Sequence, residues 1–180
     1  MSEAFRPGLL HRPLHLARRL AGSLVGGAPS ADDEAWVAQH LLEGELALWH
    51  RMSDADRRHA IGVARRVDAA LDGPGRPVLA AALLHDVGKV TSGLGTWARV
   101  AATLIGAVTS SDRHRRWAGG AGLRGRLGSY LRHPDEGADL LAAVGSDPLT
   151  VAWAREHHRP PSAWTVAASV AEALWVADDD

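Results

Sequence analysis

Histidines and aspartates are the residues of this sequence that are best suited to chemistry. The chain has ten histidines among 180 residues, and half of them occupy positions that face a predicted core or end a predicted helix. These five are His59, His85, His133, His157 and His158. Asp86 follows His85 at the end of an apolar run, where an unpaired carboxylate is costly to bury. A salt bridge, a helix cap or a bound metal ion must therefore balance Asp86.

The composition restricts which kinds of site the chain can build. It contains no cysteine, which excludes disulfides, zinc fingers, iron–sulfur clusters and a thiol nucleophile. Any metal must be held by histidine, aspartate or glutamate. Basic and acidic residues number 20 and 21, so we expect no nucleic-acid polymer as a partner. Because no apolar run approaches about 18 residues and no signal peptide opens the sequence, we predict a soluble, cytoplasmic protein without a transmembrane segment.

The spacing of apolar residues predicts an all-α fold. No segment of useful length alternates apolar and polar residues with the period of two that strands require, whereas apolar faces with helical spacing recur. Capping residues, prolines and acidic residues stand at the expected helix starts. The predicted helices cover residues 53–71, 76–86, 96–108, 134 onward, 148–157 and 165–177.

Two segments differ in composition from the remainder of the chain. Residues 1–30 carry several arginines and end in GGAPS, which predicts an N-terminal helical arm and linker before one domain at 31–180. The arm either packs on the core or binds a partner or a membrane surface. Residues 109–128 are rich in glycine and arginine and predict a surface loop or lid. That loop is either solvated or able to bind phosphate through its arginines, Arg113, Arg115, Arg116, Arg124 and Arg126.

Taken in order, the motifs resemble the HD-domain metal-dependent phosphohydrolase superfamily. The match consists of HAIGVARRV from residue 59, AALLHDVGK from residue 81 and ALWVAD ending at residue 178. HPDEGADLL and EHHRPP resemble additional motifs of the HD-GYP branch. The segment after His158 reads RPPSAW instead of the Gly-Tyr-Pro signature, so cyclic di-GMP is not inferred as the substrate. The resemblance covers about residues 53–180.

This resemblance implies an HD-type helical bundle with two divalent ions bridged by Asp86. His59, His85 and Asp178 would bind one ion, with Asp179 or Asp180 as alternatives to Asp178. The second ion would be bound by His133, His157 and His158. Iron or manganese is favoured, and magnesium, cobalt, nickel or zinc would also suit imidazole and carboxylate ligands. A glutamate that some members carry one turn before the first histidine is replaced here by Ala55, so a third ion is not expected.

The resemblance also implies hydrolysis of a small phosphorylated molecule by metal-activated water, either as a phosphodiesterase or as a phosphatase. A nucleotide or cyclic nucleotide is the expected substrate class. Asp86 and Lys89 are the predicted catalytic residues, and Lys89 is the only lysine beside 19 arginines. Lys89, Arg113, Arg115 and Arg116 are the predicted substrate-binding residues. Two alternatives are a mixed-valent di-iron oxygenase and a non-catalytic signalling module of the same superfamily.

Overall fold

The computed structural model describes residues 27–94, 102, 109 and 111–179, and within these ranges the chain is helical and contains no strand. The α-helices are α1 (Ala31–His40), α2 (Glu43–Trp49), α3 (Asp54–Leu71), α4 (Arg76–Leu84), α5 (Ser111–Ala118), α6 (Gly122–Leu131), α7 (His133–Ala143), α8 (Pro148–Glu156) and α9 (Ala168–Asp179). A 3₁₀ helix, Val87–Thr91, follows α4, and a second one, Pro161–Ala163, precedes α9. The all-α prediction is therefore confirmed.

Side-chain caps fix the starts of two helices that position the candidate site. Ser53 caps α3, because its hydroxyl accepts from the backbone N–H of Asp56 at 3.2 Å and donates to the Asp56 carboxylate at 2.6 Å. Asp147 caps α8 by accepting from the backbone N–H of Leu149 at 2.9 Å. Both helix starts agree with the sequence prediction.

Helix α4 lies in the centre of the bundle. All seven residues from 78 to 84 are buried, and the helix packs against α1, α3 and α8. Burial on every side explains why this segment is apolar around its whole circumference. Helix α9 packs on α3, while α7 packs on α8 and on the first 3₁₀ helix. His85 and Asp86 directly follow α4 and are therefore buried in the interior of the bundle.

The expectation of a loop at residues 109–128 is wrong. Helices α5 and α6 occupy most of this segment and pack against each other as a hairpin. A Cβ atom on Gly125 would lie 2.2 Å from the carbonyl oxygen of Gly120, and one on Gly128 would lie 2.1 Å from the backbone nitrogen of Ala118. These two glycines therefore permit close helix packing, which is a different use of glycine from loop flexibility.

Several predicted boundaries move by a few residues. Helix α4 ends at Leu84, so His85 and Asp86 lie in a turn, and α7 begins at His133 instead of Pro134. The last helix runs from Ala168 to Asp179. Residues 1–26 of the arm and linker predicted at 1–30 lie outside the described residues, and so does the predicted helix at 96–108 apart from Ala102. No described helix combines the length and apolar character needed to cross a membrane.

Candidate metal centre

Asp86 stands between two groups of histidines. Its Oδ1 atom lies 3.2 Å from Nε2 of His133 and 3.7 Å from Nε2 of His157. Its Oδ2 atom lies 3.5 Å from Nε2 of His85 and also contacts the ammonium group of Lys89. One carboxylate thus presents its two oxygens to different partners, which is the arrangement a bridging metal ligand requires.

The first set of potential ligands is here named the three-histidine group. It comprises Asp86, His133, His157 and His158, whose ligand atoms all lie within 4.8 Å of one another. The ring centroids of His157 and His158 are 4.1 Å apart, and those of His133 and His158 are 5.2 Å apart. His133 is brought there by α7, and the other two histidines lie at the end of α8.

The second set is here named the Asp178 group. It comprises His59, His85, Asp86 and Asp178, and the ligand atoms of its first three members lie within 4.8 Å of one another. Oδ1 of Asp178 lies 2.8 Å from Nε2 of His59 and 3.5 Å from Nε2 of His85. Helices α3 and α9 bring His59 and Asp178 together across 119 residues of sequence.

Three buried imidazoles share one hydrogen-bonding pattern. Nδ1 of His85, His133 and His157 lies 2.8, 2.8 and 2.9 Å from the carbonyl oxygen three residues earlier. Since a carbonyl only accepts, each Nδ1 carries a proton and donates, so Nε2 is the ring nitrogen that faces Asp86. The three Nε2 atoms are buried and make no hydrogen bond. Imidazoles that are oriented by backbone carbonyls and whose Nε2 atoms make no hydrogen bond fit metal ligation, because a bound ion would take the place of the Nε2 proton.

The electrostatics of the pocket favour a cation. Burial opposes ionisation of Asp86, but Lys89 and then His85 outweigh it and hold the pKa of Asp86 well below its ordinary value. Burial likewise opposes the charged form of His85, yet Asp86 and Asp178 raise the pKa of His85 to about 10. Two carboxylates in a buried pocket thus attract positive charge, and a divalent ion would supply that charge.

Gly88 allows the first 3₁₀ helix to approach α7. A Cβ atom at this position would lie 1.9 Å from the carbonyl oxygen of His133 and 2.6 Å from the backbone nitrogen of Gly137. Real Cβ atoms do not approach so closely, so any side chain here would displace the backbone that carries His133. Gly88 stands within the HDVGK motif, but its part in placing His133 is visible only in the fold.

Two further residues support the ligands without belonging to either group. Arg66 donates from Nε and Nη2 to the carbonyl oxygen of Ala177, at 3.0 and 2.7 Å, and so fixes the backbone beside Asp178. Glu156 accepts from the backbone N–H and the hydroxyl of Thr165, both at 2.7 Å, and so secures the segment that follows His157 and His158. An arginine inside the HAIGVARRV motif is the only sequence signal for Arg66.

The structure brings all seven predicted metal ligands together, but it does not bring the predicted arginines to them. Arg113, Arg115 and Arg116 lie on α5, which packs on α6, and α6 in turn packs on the first 3₁₀ helix. Among the alternatives to Asp178, Asp179 is exposed and Asp180 lies outside the described residues. Lys89 does lie at the pocket, through its contact with Asp86.

Comparisons with known proteins agree with this geometry. The family model described as HD domain matches residues 56–178, more than half of the chain. The matched segment begins just before His59 and ends at Asp178, so it contains both ligand groups. No curated protein and no solved structure matches the chain.

Proposed function

Since the chain belongs to the HD-domain family, we propose that it is a metal-dependent phosphohydrolase acting on a small phosphorylated molecule. Most members of this family are enzymes of that class. The observation that carries the proposal is the set of buried Nε2 atoms on His85, His133 and His157, which make no hydrogen bond and surround Asp86. Leaving such atoms unpaired is costly unless another partner binds them.

We propose two divalent ions, one for each ligand group, with Asp86 common to both. Iron or manganese is favoured, and magnesium, cobalt, nickel or zinc would be compatible with the same donors. When bound, such ions supply Lewis-acid stabilisation of a phosphoryl group and an activated water molecule. The protein supplies the fixed orientation of the ligands, because backbone carbonyls hold three of the imidazoles.

Lys89 is proposed to neutralise the phosphate of the substrate. Its side chain is 14% exposed, whereas the Asp86 side chain that it contacts is only 3% exposed. The ammonium group therefore lies at the boundary between the buried ligands and solvent, where a substrate phosphate would arrive. A compact ammonium serves there as a point charge and need not form the paired hydrogen bonds of a guanidinium.

We favour a nucleotide or cyclic nucleotide as the substrate class. Arg113, Arg115 and Arg116 remain predicted substrate-binding residues, but from α5 they would contact a remote part of the substrate. Helix α5 packs on α6, and α6 packs on the first 3₁₀ helix, which directly follows Asp86.

The test combines metal analysis with an activity panel. Protein purified without chelator should contain about two equivalents of divalent metal per chain and should release phosphate, or an alcohol, from a panel of phosphomonoesters and phosphodiesters. The variant His133→Ala, which removes one predicted ligand, should contain less metal. His50→Ala is its control, because His50 is exposed and lies outside both ligand groups. Absence of turnover with manganese, iron, cobalt, nickel and magnesium would refute the hydrolase. Oxygen uptake by an iron-loaded protein would instead identify the oxygenase.

A further inference from the structure

A cavity that is open to solvent lies on the α5–α6 hairpin. Its volume is about 480 Å³, and its lining residues are Arg113, Arg116, Trp117, Gly120 and Arg124. The lining includes no member of the three-histidine group, the Asp178 group or the first 3₁₀ helix. This cavity, here named the arginine groove, is therefore distinct from the candidate metal centre.

The three arginines of the groove are exposed and available to a ligand. No ion pair joins Arg113, Arg116 or Arg124 to a carboxylate within the part of the chain that the structure describes. Arg115, on the same helix but outside the groove, pairs with Asp112. The three arginines that line the cavity therefore keep their positive charge unpaired by carboxylates of the described residues, which makes the groove suited to an anion.

The charge acts on a neighbouring residue. Partial burial and then the charge of Arg113 lower the pKa of the adjacent His114. The Nε2 atom of His114 lies 2.7 Å from the hydroxyl of Thr109, and its ring lies 6.2 Å from that of Trp117. Burial is the larger of the two causes, and Arg113 adds to it as a neighbouring positive charge.

The side chains that line the groove indicate which anion it would bind. Guanidinium groups form paired hydrogen bonds with phosphate oxygens, and three of them match a chain of phosphates better than a single one. Trp117 is half-buried and offers an indole surface on which a planar base can stack. A cavity of this volume has the size of small-molecule sites. The balanced overall charge argues against a nucleic-acid polymer.

We propose that the arginine groove is a second ligand site, which binds the linked phosphates of a small polyphosphorylated molecule. Arg113, Arg116 and Arg124 hold the phosphates, and Trp117 contacts the remainder of the ligand when it is a nucleotide. This role of Arg113 and Arg116 would replace the substrate-binding role considered for them above, and the site does not depend on the reaction at the metal centre.

Isothermal titration calorimetry of the protein, with all 180 residues present, tests this proposal directly. The probes are inorganic triphosphate, β,γ-methylene ATP and a 20-nucleotide single-stranded DNA, each measured against wild type, Asp86→Asn and the triple variant Arg113→Gln/Arg116→Gln/Arg124→Gln. Arg51→Gln is the matched control, because Arg51 is exposed and lies outside the groove. Thermal melting of every variant shows whether the fold is retained.

We expect the triple variant to bind triphosphate or the nucleotide about 10-fold or more weakly, with Asp86→Asn and Arg51→Gln binding as wild type does. Tighter binding of the nucleotide than of inorganic triphosphate identifies a nucleotide as the source of the phosphates, and equal binding identifies inorganic polyphosphate. Three results would overturn the proposal: unchanged binding in a folded triple variant, loss of binding in Asp86→Asn, or preference for the DNA strand.

Discussion

The two ligand groups of the candidate metal centre differ in how the fold holds them. In the three-histidine group, His133 and His157 are buried and each is hydrogen-bonded to a carbonyl within its own turn. In the Asp178 group, the side chains of His59 and Asp178 are about one-fifth exposed. They lie on α3 and α9 and are 119 residues apart in the sequence.

This contrast shows that local and long-range structure contribute differently to the two groups. The three-histidine group is assembled by neighbouring helices, α7 and α8, and by the close approach of Gly88. The Asp178 group requires the final helix to dock on α3, where Arg66 fixes its last turn. We therefore expect the Asp178 group to lose its ion more readily than the three-histidine group.

Asp86→Ala should have the largest effect, because Asp86 is the one residue common to both groups. The variant should lose both ions and its hydrolytic activity should fall to the level of buffer, as measured by elemental analysis and a phosphoester assay. Retention of one full equivalent of metal would show that the two groups do not share this carboxylate.

Gly88→Ala should be next, since the new methyl group would meet the carbonyl of His133. We expect a loss of about 1–3 kcal/mol of folding stability and preferential loss of the ion at the three-histidine group. Thermal melting and metal analysis measure the two effects. Gly75→Ala is the control, because its Cβ atom would meet only Pro77 at an ordinary 3.7 Å. Equal behaviour of the two variants would contradict the proposed role of Gly88.

His133→Ala should remove one ion and leave the other. It deletes a ligand from the three-histidine group only, so the metal content should fall from about two equivalents to about one, whereas His50→Ala should retain both. Loss of both ions would mean that the groups bind metal as one cooperative unit.

Arg66→Met should weaken metal binding at the Asp178 group alone. Removing a residue that supports a ligand typically costs about 10- to 100-fold in metal affinity, and competition with a chromophoric chelator measures this for each ion. Arg66→Lys should restore part of the affinity by donating one hydrogen bond to Ala177. A lower melting temperature with unchanged affinity would reduce Arg66 to a purely structural residue.

Lys89→Arg should have the smallest effect. Positive charge is kept, so turnover should slow by less than the roughly 10²- to 10³-fold that follows removal of a stabilising donor. Metal content should match wild type, because Lys89 is not a ligand. If Lys89→Arg turned over substrate as fast as wild type, the presence of lysine instead of arginine at this position would have no functional cause.

The sequence by itself determined the fold class and the starts of α3, α4 and α8. Capping by Ser53 and Asp147 and the apolar run of α4 depend on residues close together in the chain, so local patterns report them. The sequence did not determine the secondary structure of residues 109–128. The glycines there allow two helices to pack closely, but a segment rich in glycine and arginine is equally typical of a loop.

The sequence also singled out the seven candidate ligands, because histidines and aspartates at core-facing positions are unusual and their order matches a family pattern. The resemblance also implied that Asp86 divides them into two groups. Only the tertiary structure decided that backbone carbonyls orient three of the imidazoles and that Arg66 and Gly88 support the ligands. The physical reason is that these contacts join residues far apart in the chain or involve backbone atoms, which carry no sequence signal.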